Sequence, residues 1–478
     1  MVKKIYIMNY LQIAQRNLWR NKRRTIITIA SILFAVFFAV IMRSFQLGSY
    51  TLMIKNGIES YSGYIRFQHP DYLDDPLLEN TTPYNDSINT ILSSFPNVKS
   101  VSTRLETFAL ASSGNITKGV LVLGINPDAE QRFSNPQKFL VRYYISDKAL
   151  AVIEGNPEIP QEVKAKLKDL KGEGFIDSSK LHTALELLPG QNRYFDQICN
   201  TFQFAGEFLN PSDSDVVISF RLYKFLNLNV GDSLILLSQG YQGSSAAGIY
   251  RVKGVVKLSN PELDNKLVYM PLGRAQEFTG VENRIAYWAI NLHNSEDEAM
   301  LQTQSELKEH FGESEFEIKN WKELNRILVQ QINSDNQSGK AFLVLLYFVV
   351  FFGIFGTVIM MIHERIHEFG VLVSVGMQKA KLATLVVMEM IFMAIIGVVI
   401  GTGLSFPIIY YYNYNPIRLT GEMAKMMMDM GYEPLMPMEP FGAYVVWQGV
   451  VVLIMVLIAC IYPTRRIFKL KEVEALRR

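Results

Sequence analysis

Four stretches of this chain are apolar over lengths that can cross a bilayer, which takes about 20 residues in a helix. Residues 25–42 and 341–362 contain no charged side chain, 382–411 contain only Glu389, and 441–462 again contain none. Gly397, Gly401 and Gly403 punctuate the third stretch. The region 47–338, between the first two, has an ordinary polar composition. The pattern predicts four transmembrane helices with one large domain between helices one and two. The first apolar run is longer than the roughly 7–15 residues of a signal-peptide core, and no small-residue cleavage pattern follows it. A retained transmembrane helix is therefore expected there.

Within 47–338 the pattern changes period. Tyr64-Ile-Arg-Phe-Gln alternates as a half-buried strand does. Residues 119–124 form a short apolar run suited to a buried strand, and 215–219, 233–237 and 250–256 are further strands between Gly, Asp and Asn turns. Residues 162–171 and 296–311 read as helices. Residues 131–210 are poorer in strand pattern and richer in Pro, Gly and Lys, which marks an elaborated insert. The expectation is a mixed α+β domain.

Charge gives the orientation. Residues 1–24 carry Lys3, Lys4, Arg16, Arg20, Lys22, Arg23 and Arg24 with no acid. The tail carries Arg465, Arg466, Lys469, Lys471, Arg477 and Arg478 against Glu472 and Glu474. The loop between the third and fourth stretches has Arg418 and Lys425 against Glu422, Asp429, Glu433 and Glu439. Lys and Arg favour the cytoplasmic side, so both termini and the 363–381 loop are expected inside, and 47–338 and 412–440 outside. Leu11, Ala14, Leu18 and Trp19 share one helical face. With Arg20, Lys22, Arg23 and Arg24 beside them, residues 1–24 read as an amphipathic helix lying on anionic headgroups.

Composition narrows the chemistry. Charged residues are 19% of the chain, below the roughly 25% usual in soluble domains. A net charge of +2 supplies no field for a polyanion, and no nucleic-acid partner is expected. Two cysteines exclude a disulfide scaffold and a four-cysteine zinc site. Cys199 lies in the outer domain and Cys460 in the fourth helix, so they are not expected to pair.

His363-Glu364-Arg365-Ile366-His367 satisfies H-E-x-x-H, a zinc-protease pattern when both histidines share a helix face. The remaining histidines, His69, His182, His293 and His310, all lie in the outer domain, so a third ligand is missing and no metal site is expected. The segment reads instead as a polar helix end at the membrane surface. Ser338-Gly339-Lys340 ends like a phosphate-binding loop, but Ser334 stands where the upstream glycine is needed. No Ser/His/Asp or paired-carboxylate pattern stands out, so no catalytic residue is assigned. Glu389 is costly inside an apolar helix. Pairing with a basic residue and a role in coupling are both open for it.

Several motifs resemble one family, the FtsX-like permeases of ABC transporters, which include the MacB and the lipoprotein-releasing LolC/LolE types. Asn17-Leu-Trp-Arg-Asn-Lys-Arg-Arg-Thr resembles their N-R-K-R-R-T segment before helix one. Residues 364–377, with Glu364, Arg365, Glu368, Phe369, Gly370, Gly376 and Met377, are similar to E-R-x-x-E-F-G-x-L-x-A-x-G-M. Tyr462-Pro-Thr-Arg-Arg with Glu474-Ala-Leu-Arg resembles their C-terminal motif, without its second proline. Val98-Lys-Ser-Val and Gly124-Ile-Asn-Pro are similar to two outer-domain motifs, and the extra sequence at 131–210 is a departure.

The resemblance implies a multi-pass bacterial inner-membrane protein with four transmembrane helices. Its periplasmic α+β domain would be porter-like with an inserted sabre-like subdomain. The expected parts are a cytoplasmic amphipathic helix at 1–24, helices at 25–46, 339–362, 382–411 and 441–462, a periplasmic domain at 47–338, a cytoplasmic coupling-helix loop at 363–381 with its helix at 363–377, a periplasmic loop at 412–440 and a cytoplasmic tail at 463–478. It also implies dimerisation with a second permease copy or a paralogue, and docking on a dimer of separate ABC ATPase subunits that bind ATP and Mg. The coupling segment would use Glu364, Arg365 and Glu368 for charged contacts, Phe369, Leu372 and Met377 for an apolar groove, and Gly370 and Gly376 for close approach. The leading function is mechanical extraction of lipoproteins from the inner membrane, with a periplasmic carrier or adaptor. Export of peptides, toxins or other amphiphiles is the alternative, ahead of an FtsX-like regulator and a metalloprotease.

Overall fold

The computed structural model describes residues 22–187, 189–312, 316–429 and 433–469. The chain forms two units. One takes in the chain up to Leu52, Ile327–Leu419 and the chain from Leu435 onward; the other takes in Met53–Arg326 and Thr420–Pro434.

The first unit is helical. Its elements are α1 (Lys22–Ile54), α2 (Arg326–Ser374), α3 (Lys379–Tyr414), α4 (Ala443–Ala459) and the short α5 (Ile461–Phe468). Four helical spans, from Thr25, Arg326, Lys379 and Ala443, are long and apolar enough to cross a membrane. One face of each meets the others in a core of Ile32, Val36, Val358, Ile362, Val386, Met390, Val452 and Val456. Gly397 and Gly401, one turn apart on α3, let it approach α1 closely. A side chain at Gly401 would stand 2.7 Å from the carbonyl oxygen of Leu33. Small residues at this spacing are how membrane helices bring backbones together.

Two boundaries differ from those read in the sequence. The apolar run at 341–362 is the middle of a much longer helix, since α2 runs without a break for 49 residues, about 74 Å at 1.5 Å per residue. The 363–381 segment is therefore no separate loop. Up to Ser374 it continues α2, because a change of side-chain polarity does not interrupt backbone hydrogen bonding. Likewise α1 continues beyond its apolar run to Ile54, and a π-helical segment, Lys55–Ser62, carries the chain on to Gly63, whose φ is +75°. The segment between α3 and α4 is not a plain loop either. Ile417–Arg418 pairs with Leu435–Met436, and the helix Gly421–Asp429 lies in the excursion that belongs to the second unit.

The second unit is α+β. Its main sheet has strands β1 (Ile65–Gln68), β2 (Val98–Ser113), β3 (Ile116–Ile125), β4 (Val216–Ser219), β5 (Ser233–Gln239), β6 (Ser245–Val256), β7 (Leu267–Pro271), β8 (Tyr287–Leu292) and β9 (Glu317–Asn320). The order is β9-β1-β8-β2-β3-β7-β4-β6-β5, and β5 returns to pair with β2. Strand β2 is long enough to serve two neighbours on one edge. Its first half pairs with β8, through partners such as Val101 and Ile290. Its second half pairs with β5, through Leu110 and Leu237. That second pairing closes six strands into a barrel, which removes the open edges they would otherwise present. Ala109, Ala111, Val120, Val122, Val216, Ile218, Leu234 and Leu236 fill its interior.

The region read as an insert holds four short helices, Asp147–Glu154, Gln161–Asp169, Ser178–Leu185 and Phe195–Phe202. They bury a core of their own around Leu150, Val163, Leu167, Leu181, Ile198 and Phe202. Two of them start on side-chain caps, in which Ser146 accepts from the Ala149 amide and Asp177 from the Lys180 amide.

Candidate functional site

The last three turns of α2 and the turn into α3 form the site. α2 stops because the backbone reverses there. Gly376 has φ +105°, a conformation that favours glycine. Its amide donates to the Val373 carbonyl at 3.0 Å, and the Met377 amide donates to the Leu372 carbonyl at 2.9 Å, which satisfies carbonyls at the helix end. α3 begins at Lys379 and runs back along α2.

The structure divides the eight residues expected to contact an ATPase. Glu364, Glu368, Leu372 and Gly376 are exposed, and Met377 is half-buried. Arg365, Phe369 and Gly370 are buried within this chain. For Arg365 and Phe369 the expected outward role is thus replaced by an inward one. Phe369 is fully enclosed in the core of the membrane unit, and the Arg365 guanidinium lies 5.1 Å from its ring centroid.

Arg365 also answers the question of Glu389. Arg365 Nη1 donates to Glu389 Oε2 at 2.6 Å. Both side chains are withdrawn from solvent, with 8% and 3% exposure. Arg365 Nε lies 3.4 Å from Glu368 Oε2, one turn along the same helix. One guanidinium thus meets a buried carboxylate on α3 and an exposed carboxylate on its own helix.

The sequence held a signal for this pair that hydropathy alone does not show. Arg365 and Glu389 stand at equal sequence distance on either side of Met377. A tight antiparallel turn centred there must bring them to the same level. Val375 was also missed. It is 83% exposed beside Gly376, and with Val371 and Leu372 it places apolar surface next to Glu364 and Glu368.

His363 and His367 are both exposed. Among the described residues no group of three His, Cys, Asp or Glu side chains is arranged to hold a metal ion. Of the basic membrane-surface residues, Lys22 and Arg23 are exposed at the start of α1 and Arg24 follows them in that helix. Arg20, the stripe at Leu11–Trp19 and the Glu474 motif lie outside the described residues.

At its other end α2 meets α1 through a polar clasp. Arg43 Nη1 donates to Asn336 Oδ1 and to Gln46 Oε1, each at 2.7 Å. Gln46 Nε2 donates to the Asp335 carbonyl at 2.9 Å, and the Tyr50 hydroxyl donates to the Asp335 carboxylate at 2.5 Å. Gly339 makes room, since a Cβ there would collide with the Gln46 amide. α1 is also held to the segment before α4, where the Ser44 hydroxyl donates to the Glu439 carbonyl at 2.7 Å.

Among the described residues, four helices of membrane-crossing length and apolarity surround this site. The model of the FtsX-like permease C-terminal family matches residues 340–471, which take in most of α2 and all of α3, α4 and α5. That match bears out the FtsX-like resemblance over those residues. Comparison with curated proteins finds no match. Among solved structures, the periplasmic region of MacB from Actinobacillus actinomycetemcomitans aligns at 15% identity and a TM-score of 0.30, covering 57% of this chain and 95% of that one. The extracellular domain of the noncanonic ABC-type transporter YknZ from Gram-positive bacteria aligns at 11% identity and a TM-score of 0.28, covering 54% of this chain and 100% of that one.

Proposed function

We propose that this permease subunit converts ATP hydrolysis by a separate ATPase subunit into movement of its α+β unit, and that its cargo is lipoproteins taken from the inner membrane. The observation that carries the mechanical reading is the continuity of α2. Its exposed end presents Glu364, Glu368, Leu372 and Val375, a mix of charge and apolar surface suited to a groove on a partner. The same unbroken helix begins at Arg326, where the chain leaves the α+β unit. A push on one end therefore acts on the other through a single rod. ATP and Mg are held by the partner, and this chain supplies the lever. Phe342, Leu345, Phe348, Val349 and Phe352 on α2 are exposed apolar residues, which supports packing against a second permease copy within the bilayer. The placement of Lys and Arg supports cytoplasmic termini, and the FtsX-like resemblance supports an inner-membrane location. Lipoprotein cargo is favoured by the resemblance to FtsX-like permeases that work with a separate ATPase subunit.

Two measurements test this. Glu364→Arg combined with Leu372→Ala should abolish co-purification of the ATPase subunit and leave membrane insertion intact. Retention of the ATPase by that variant rejects the docking surface. Depletion of the chain, followed by mapping of lipoproteins between the two membranes, tests the cargo. Lipoproteins held back in the inner membrane support extraction. An unchanged distribution with lost peptide or toxin export moves the assignment to amphiphile export.

A further inference from the structure

Burying an arginine and a glutamate among apolar helices is expensive, and well-packed apolar residues of similar volume usually serve stability as well or better. What an ion pair adds is register. A contact of 2.6 Å between Arg365 and Glu389 exists at one alignment of α2 on α3, whereas apolar surfaces tolerate sliding. The pair sits at the level where register matters to the proposed motion, inward from the exposed residues of the α2 end and across the turn from them. Without it, a load on the 363–377 segment is free to be absorbed by the four residues between Ser374 and Lys379.

We propose that Arg365 and Glu389 are a positioning pair, which pins the exposed end of α2 to α3 so that displacement of that end moves both helices as one body. The clasp of Arg43, Gln46 and Tyr50 on Asp335 and Asn336 holds the same helix to α1 at its other end. α2 is thus a rod pinned to a different neighbour at each end. The pin itself is a property of this chain; its use in transmission rests on the function proposed above. The Phe369 ring centroid lies 5.1 Å from the guanidinium, and Glu368 holds its Nε side at 3.4 Å.

The test uses the full chain in lipid nanodiscs, with Cys199→Ser and Cys460→Ala to remove native thiols. Nitroxide labels are placed at the exposed positions of His367 on α2 and Thr384 on α3, and their separation is measured by pulsed EPR. The native pair should give one narrow distance. Arg365→Gln with Glu389→Gln, which removes both charges and leaves a polar side chain at each position, should broaden or shift it. The exchanged pair, Arg365→Glu with Glu389→Arg, should narrow it again. A neutral variant that keeps the native distance overturns the proposal, as does a folded exchange variant that stays broad. If those variants do not fold, Glu389→Asp withdraws the carboxylate by one methylene and must produce the same broadening; an unchanged distance there overturns the proposal too.

The transmission role is read separately, with the ATPase subunit bound and labels at Lys340 and Tyr414. ATP should leave that distance unchanged in the native chain, where the two helices move together, and shift it in the neutral variant, although the ATPase still co-purifies, because neither substituted side chain is on the exposed face. A distance that ATP leaves unchanged in the neutral variant too, or shifts in the native chain, removes the pair from transmission. Failure of the ATPase to bind the native chain instead rejects the proposed function, and the label distance at 367 and 384 still decides whether the pin exists.

Discussion

Among the described residues there are two buried arginine–glutamate pairs, one in each unit, and they are built differently. In the α+β unit, Arg104 and Glu130 are 1% and 0% exposed and meet at 2.6 Å. A second contact, from Arg104 Nε to the other carboxylate oxygen, is 3.3 Å. The Ser102 hydroxyl donates to Glu130 at 2.6 Å, the Ser134 hydroxyl donates to it as well, and Arg104 donates to the Tyr61 carbonyl. Phe133 and Tyr61 flank the guanidinium. In the membrane unit, Arg365 divides itself between Glu389 on α3 and Glu368 on its own helix. The first pair is locked into a network on β2 and the neighbouring helix Pro127–Phe133, so it holds one place together. The second joins two long helices beside a turn, so it fixes how they align. The same chemistry gives cohesion in one unit and register in the other.

Removing one partner should hurt most in the α+β unit. Arg104→Ala leaves Glu130 buried with its charge uncompensated, which typically costs about 3–5 kcal/mol. Chemical denaturation of the full chain in detergent, followed by Trp fluorescence, should show that loss; a change below about 1 kcal/mol would contradict the network around Glu130. Removing both partners sharpens the contrast. Arg104→Met with Glu130→Leu still orphans the Ser102 and Ser134 hydroxyls and the Tyr61 carbonyl, each costing about 1–3 kcal/mol when buried and unpaired. Arg365→Gln with Glu389→Gln should cost much less stability and act on helix alignment instead. Equal stability losses for the two double variants would erase the distinction.

How much of this was legible in the sequence differs between the two units for the same reason. The membrane helices announce themselves because uncharged apolar runs of that length rarely arise outside a bilayer. Their true ends do not, since hydropathy marks where the environment changes and not where backbone hydrogen bonding stops; α2 passes through that change at His363 without notice. Strands β5 and β6 were visible as strand runs, because at least one face meets solvent. Strands β7 and β8 were missed because every residue of Leu267–Pro271 and Tyr287–Leu292 is buried, which leaves no alternation to read, and unlike the equally buried Val216–Ser219 their runs are broken by Pro271 and Asn291. The barrel closure rests on Leu110 meeting Leu237 across a long sequence separation, and no local pattern encodes it. Among site residues, Glu364, Glu368 and Leu372 were placed on a docking surface by the family resemblance, which their residue types suit, and they are exposed. Arg365 was not placed correctly, because an arginine beside a membrane is ordinarily a surface residue until its partner on the next helix is known.

A third buried acid shows what happens when an arginine stays farther away. Asp264 is 2% exposed, and Arg221 comes no nearer than 3.8 Å. Burial pushes its carboxyl up from the ordinary 3.8 to about 6, against the opposing pull of hydrogen bonds from the Leu258 and Phe220 amides. Its proton is therefore held more tightly folded than unfolded. The stabilisation from that proton is complete below about pH 4 and is lost as pH rises through about 6. For this group the change is on the order of 3 kcal/mol. Melting of the full chain between pH 4 and pH 7 should contain this component, and Asp264→Asn, which keeps an acceptor for both amides and cannot ionise, should remove it. A pH profile identical in wild type and Asp264→Asn would show that Arg221 compensates the charge as fully as Arg104 does for Glu130.

The smallest effect belongs to a pair that looks as good on distance alone. Lys322 Nζ and Asp297 lie 2.5 Å apart, closer than either buried pair, with 38% and 67% of their side chains exposed. Water screens both charges, and holding two long side chains in one geometry offsets most of the attraction, so such pairs contribute about 0–1 kcal/mol. Asp297→Asn should shift the denaturation midpoint by an amount near the error of the measurement, and high salt should shrink even that. A loss of about 3 kcal/mol, the size expected for a broken buried pair, would mean that separation, and not burial and hydrogen-bonded surroundings, sets the strength of ion pairs in this protein. The contrast drawn between its two buried arginines would then lose its physical basis.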